Sequence, residues 1–180
     1  MHNSPLLDRF VADCQDACAS GPHCVRELIE RTIRDPADLL AALGLGDVPG
    51  MRTIHRADDL TILHVVWGSN MEVPPHDHRM WAVIGVYAGC EVNRFWRRAQ
   101  PDAQGLRLGD DMTLHAGDAV VLEADVIHSV VNPLARTTGA IHVYGGDFFA
   151  VARSEWVSES ASEVPFDVQR AVQRFSERRE

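Results

Sequence analysis

Two histidines one residue apart, His76 and His78, stand in the stretch PPHDHRMWAVIGVYAG, behind two prolines and ahead of a long apolar run. In extended backbone, residues i and i+2 point to the same face, so both imidazoles project together, as two metal ligands would. Gly68 lies eight residues before His76 and Gly89 eleven after His78. A second segment, GDAVVLEADVIHSVVNP, places His128 eleven residues after Gly117 and four before Asn132. Imidazole suits iron, zinc, copper and nickel alike, so the pattern points to a transition metal without choosing one.

These residues need a scaffold, and the chain provides for one domain with a sizeable core: 180 residues, 46% of them hydrophobic. From Ser4 to about Leu43 the apolar residues fall at helical spacing in three groups, broken at Gly21-Pro22 and Asp35-Pro36, with Gly44 and Gly46 closing the helical part. After Val48 the pattern becomes short apolar runs between turn residues: MRTIHR, LTILHVVWG, MWAVIGVYAG, VNRFWRR, MTLHAGDAVVLE, HSVVN and GAIHVYGGDFFAV. Their Val, Ile and aromatic content predicts an antiparallel β-barrel or jelly roll. The division is a helical segment over 1–47, a barrel over 48–152 and a tail over 153–180 carrying a last helix from Phe166 to about Arg178.

A formal net charge of −9 argues against nucleic acid, whose affinity rests on clustered Lys and Arg. No run approaches 18 apolar residues, and the opening residues lack the pattern of a secretory signal, so a cytoplasmic protein with no membrane partner is expected. Cys14, Cys18 and Cys24 lack the C-x2-C spacing of structural zinc and read as reduced thiols, the first two sharing one helix face. Arg94, Arg97 and Arg98 read as a solvated strand edge, and His55, His64 and His115 as ordinary histidines.

The two histidine segments together resemble the two motifs of the cupin superfamily, a small β-barrel holding a metal in its mouth, over about residues 50 to 150. That pattern supplies a glutamate four to five residues after the first histidines, and this chain offers Trp81, Ala82 and Val83 instead. The resemblance therefore implies a three-histidine site, His76, His78 and His128. Such a site leaves the full charge of a divalent metal to attract an anionic ligand such as a thiolate.

Within the cupins, the chain resembles the cysteine dioxygenase family of thiol dioxygenases. Trp67-Gly68 precedes His76-Asp77-His78 as in that family, and AIHVYGGDF is similar to its strand carrying a histidine and a tyrosine two residues apart. The comparison implies Fe(II), with Tyr144 donating a hydrogen bond to oxygen or substrate and His142 holding its hydroxyl. Ala140 replaces the family's relay serine, and Val83 stands where some members carry a crosslinking cysteine. The family's carboxylate-binding arginine has no aligned counterpart. Arg52, Arg56 and Arg79 are candidates, although strand alternation would point Arg79 away from the metal. Trp67, Trp81 and Trp96 could line a mouth suited to a larger or cationic thiol.

The reading that follows is a non-haem Fe(II) enzyme converting a small thiol and O2 to a sulfinic acid. Its rivals are a three-histidine cupin dioxygenase cleaving a carbon–carbon bond, and a non-catalytic metal-binding or ligand-sensing cupin. The thiol and the oligomeric state are left open by the sequence.

Overall fold

The computed structural model describes residues 4–43, 48–99, 105–158 and 162–176. Three helices come first: α1 (Pro5–Ala19), α2 (Pro22–Arg34) and α3 (Ala37–Leu43). Prolines open α1 and α2, where the missing N–H costs nothing, and Gly21 at φ 100° supplies the left-handed residue that turns one helix into the next. Gly44 and Gly46, expected to end the helical part, lie outside the described residues.

Eleven strands follow: β1 (Gly50–Arg56), β2 (Thr61–Trp67), β3 (Glu72–Asp77), β4 (Ala82–Ala88), β5 (Cys90–Arg98), β6 (Leu106–His115), β7 (Ala119–Leu122), β8 (Ile127–Val131), β9 (Thr138–Tyr144), β10 (Ser154–Glu155) and β11 (Val164–Pro165). They form two antiparallel sheets, ordered β1-β2-β9-β4-β7 and β11-β10-β3-β8-β5-β6. This is the mainly β, jelly-roll architecture expected, with helices N-terminal to it and a short helix α4 (Val168–Ser176) at its end. Positions 177 and 178 of the expected last helix lie outside the described residues.

The first sheet is covered on both faces, which is why β2 and β9 are buried throughout. Alternation divides their side chains. Ile62, Ile141 and Val143 face the helices and join Phe10, Cys14, Val25, Ile29 and Ile33 in one core. Leu63, Val65, Trp67, Ala140 and Tyr144 face the second sheet and join Val73, Val130 and Phe148 in the other. Gly85 of β4 permits this docking, because a Cβ there would lie 2.3 Å from Ile29 Cγ2. The four cysteines are free thiols, Cys14 buried beneath α2 and Cys18 packed against the same core.

Two readings of the sequence need correction. Strand β3 ends at Asp77, so His78 lies just beyond the extended run instead of within it. Strand β5 pairs with both β6 and β8 from Val92 to Trp96, so Arg94 lies on an interior stretch, whereas Arg97 and Arg98 run past β8 and pair with β6 alone; Arg94 pairs with Asp111 and Arg98 with Glu163. All three arginines are exposed.

Candidate metal centre

Strands β3 and β8 pair in a register that sets His76 directly opposite His128. The chain then turns sharply: Arg79 takes a left-handed φ of 56°, uncommon for a residue with a Cβ. Asp77, buried between the two histidines, anchors this turn by accepting the Ser154 N–H at 2.8 Å and pairing with Arg79 Nε at 2.7 Å. His78 is thereby swung back toward the other two. Its Nε2 lies 3.2 Å from His76 Nε2 and 3.3 Å from His128 Nε2.

The hydrogen bonds of the outer nitrogens decide what these three atoms are. His76 Nδ1 is 2.9 Å from the Pro74 carbonyl and must donate to it, which leaves Nε2 as a bare lone pair. His128 Nδ1 is 2.7 Å from Asn93 Oδ1 and donates likewise. At least two lone pairs therefore converge with no protein donor beyond His78 to satisfy both, and Nδ1 of His78 has no partner. A metal at 2.0–2.1 Å from each nitrogen would place ligands about 3.0–3.4 Å apart, so the cluster fits a bound transition ion. His76, His78 and His128 are the one such group found among the described residues.

Burial pushes His76 down to about 4, with Arg153, Arg174 and His142 adding repulsion against the partly opposing bond to Pro74. His78 is driven well below the ordinary imidazole range by burial and then by His128 and His76, and His128 by burial and then by His76 and His142. All three are neutral near pH 7, as metal ligands would need to be.

The opposite sheet contributes His142 and Tyr144 from β9, side by side on its inner face. The Tyr144 hydroxyl lies 3.0 Å from His142 Nδ1, and its ring meets His78 edge-on at 5.1 Å between centroids. Burial raises the Tyr144 phenol above its usual range, so it remains protonated. Behind them lies Glu91 of β5, fully buried, whose carboxylate accepts from Trp67 Nε1 at 2.9 Å and Asn93 Nδ2 at 3.1 Å.

A cavity of about 40 Å³ opens between the sheets, bordered by the three histidines, His142, Tyr144, Trp67 and otherwise apolar side chains. Phe166 and, from α4, Ala171 and Phe175 close it, with Phe175 packed on Trp67 at 5.2 Å. That volume suits roughly three water-sized groups. Of the tryptophans considered, only Trp67 borders the cavity: Trp96 bonds Ser129 on the sheet, and Trp81 covers Gly145. The aromatic side chains that do line it are Trp67, Tyr144, Phe148, Phe166 and Phe175.

The expected arginines do not reach it. Arg56 is held by Asp147 through Nε at 3.0 Å and Nη2 at 2.8 Å, Arg79 by Asp77, and Arg52 by the Leu43 carbonyl. His64 stacks on Tyr87 away from the cavity.

The arginine that sequence reasoning missed is Arg153. Its guanidinium is sandwiched between Phe148 and Phe166, 4.2 and 4.1 Å from their centroids; both rings border the cavity, while Arg153 itself lies behind them and lines a separate, more open groove with Arg79, Ser154 and Glu163. Arg153 is 6% exposed, and Nη1 bonds the Phe148 and Val151 carbonyls. Its Nε and Nη2 have no hydrogen-bond partner among the described residues. Those two nitrogens form one edge of the guanidinium, the same edge with which Arg56 grips Asp147. Burial alone lowers Arg153 to about 10, against the pull of Tyr144 and Asp77, so it stays charged.

No family model matches the chain. Among solved structures, it is similar to a protein from Bacillus halodurans at 15% identity, covering 55% of this chain and 71% of that one, with a TM-score of 0.47. A cupin superfamily protein from Desulfitobacterium hafniense is 13% identical over 54% of this chain and 76% of that one, at 0.44. An RmlC-like cupin family protein with a double-stranded β-helix fold from Methanocaldococcus jannaschii is 10% identical over 57% and 84%, also at 0.44.

Proposed function

We propose that the protein is a non-haem iron(II) dioxygenase that converts a small thiol bearing a carboxylate to its sulfinic acid, R–SH + O2 → R–SO2H. The observation that carries this reading is the grouping, around one small cavity, of three convergent imidazole nitrogens without a carboxylate beside them and a Tyr144–His142 pair from the opposite sheet. Iron(II) held by His76, His78 and His128 would supply Lewis acidity toward a thiolate and redox chemistry toward O2.

The remaining work belongs to the chain. Neutral imidazoles leave the cation's charge uncancelled, favouring an anionic sulfur. The apolar walls and the cover formed by Phe166, Ala171 and Phe175 exclude water from the reacting groups. Tyr144 places a polar hydroxyl over His78, within reach of a ligand in the cavity. Arg153, behind Phe148 and Phe166, would offer its Nε and Nη2 edge to a carboxylate that passes between those rings, a planar bidentate fit that a lysine could not reproduce. The small volume favours a short chain between sulfur and carboxylate.

The test is oxygen uptake by protein loaded anaerobically with Fe(II), against cysteine, mercaptopropionate, cysteamine and a heteroaromatic thiol, with mass analysis for two added oxygens. Turnover of a carboxylate thiol is expected. Silence across the panel with iron bound would refute this reading.

A further inference from the structure

Glu91 is a fully buried carboxylate inside a jelly-roll core, and neither metal binding nor carboxylate recognition uses it directly. Its neighbours account for it. If His128 holds a metal through Nε2, its Nδ1 carries the proton and donates to Asn93 Oδ1 at 2.7 Å. The orientation of the Asn93 amide is then fixed, and its Nδ2 donates to Glu91 Oε1 at 3.1 Å. The other oxygen, Oε2, accepts from Trp67 Nε1, a group that can only donate, at 2.9 Å. The same Oε2 stands 3.6 Å from His142 Nε2, a buried ring nitrogen with no other partner among the described residues. That gap exceeds a hydrogen bond by a few tenths of an ångström, and the carboxylate is the acceptor that faces it.

We propose that Glu91 is a positioning residue whose carboxylate joins the metal ligand His128 to the Tyr144–His142 pair and holds His142 as the tautomer protonated on Nε2. The inference rests on the metal reading for the His128 end of the chain. A proton on Nε2 leaves Nδ1 of His142 as an acceptor, and the Tyr144 hydroxyl, 3.0 Å away, turns its proton inward to it. The lone pairs of the Tyr144 oxygen then face the cavity. Tyr144 meets the ligand as a hydrogen-bond acceptor, the reverse of the donor role expected from the sequence. Glu91 also occupies the functional place left vacant by Ala140, reaching the histidine from β5 instead of from β9.

The experiment is a long-range proton–nitrogen correlation spectrum of the full chain with nitrogen-15 histidine, in zinc-loaded and metal-free form, with zinc content measured on the same samples. The expected wild-type result is a neutral His142 ring with Nε2 protonated and Nδ1 bare. A ring protonated on Nδ1 alone, or on both nitrogens, would overturn the proposal. In Glu91→Gln, an amide replaces one acceptor, and Asn93 cannot turn to meet it while His128 holds its oxygen. Loss of the single His142 tautomer with zinc retained at wild-type stoichiometry supports the assignment. Unchanged His142 signals would reduce Glu91 to a partner of Trp67 and Asn93 and overturn it. The wild-type spectrum decides the tautomer even if the variant does not fold. Failure of the wild type to bind zinc would strike the metal reading, while the metal-free spectrum still tests Glu91.

Discussion

Replacing Arg153 by methionine separates ligand recognition from stability, because the structure gives both sides of the comparison. A buried guanidinium without an acidic partner costs several kcal/mol to desolvate. It is offset by two cation–π contacts, at 4.2 and 4.1 Å, worth about 2 kcal/mol each when dry, and by charge-assisted bonds to the Phe148 and Val151 carbonyls worth about 1.5–3 kcal/mol. The terms nearly cancel, and methionine fills a similar space between the rings. Arg153→Met is expected to shift stability by no more than about 2 kcal/mol, which is within about 8 °C in Tm for a chain of this size. The ligand sees a different balance. Removing one partner of a buried charge pair costs about 2–5 kcal/mol, and each 1.4 kcal/mol is tenfold. KM for mercaptopropionate should therefore rise at least about 30-fold, with little change for cysteamine, which has no carboxylate. Oxygen-uptake kinetics on both thiols, with thermal melts of both proteins, make the measurement. Equal effects on the two thiols, or none on the carboxylate, would refute the reasoning.

Other expectations follow from the same geometry. His128→Ala should remove most bound iron, measured by metal analysis after desalting, because two imidazoles cannot close the site and Asn93 loses its donor; full retention would exclude the triad. Tyr144→Phe should lower turnover at least tenfold while leaving iron in place, and wild-type rates would return Tyr144 to a packing role. Acid should destabilise the metal-free protein through His64, which burial first, then Arg52 and His142, hold at about 4. The unfolded chain binds this proton near pH 6.5 and the folded one only near 4, so stability present above 6.5 is lost as pH falls across that window. The loss amounts to about 3 kcal/mol for His64. Urea unfolding of wild type and His64→Gln at pH 7 and 4.5 checks it: the variant should lose less.

The parts of this site that local spacing encodes were readable in the sequence. His142-x-Tyr144 falls at strand spacing, His76 and His78 were legible as a pair although a turn after Asp77 and not strand alternation brings His78 in, and the helical and strand runs announced a β-barrel or jelly roll preceded by helices. Arg153 was not readable, because its significance is the absence of an acid beside it, and partners such as Phe166 arrive from a later segment. Glu91 and Asn93 left a fainter signal: two polar residues at i and i+2 on the inward face of an otherwise apolar strand, which only cross-strand register connects to Trp67, His128 and His142. Arg79 does stay out of the cavity as alternation implied, but through a left-handed turn that sets it on Asp77 and not through strand geometry.

The three-histidine cluster and the Tyr144–His142 pair belong to opposite sheets, and this division makes the two sheets the jaws of a vice. His76 and His128 are tied by their own ladder, so the grip on an ion is internal to one jaw. The gap from a bound ion to the Tyr144 hydroxyl would be set by whatever fills the space between the jaws, including Ile84 in the shared core. Trimming or enlarging such a filler by a methylene should alter reactivity while leaving metal affinity almost untouched, so that chemistry in this protein can be tuned from residues that never meet the ligand.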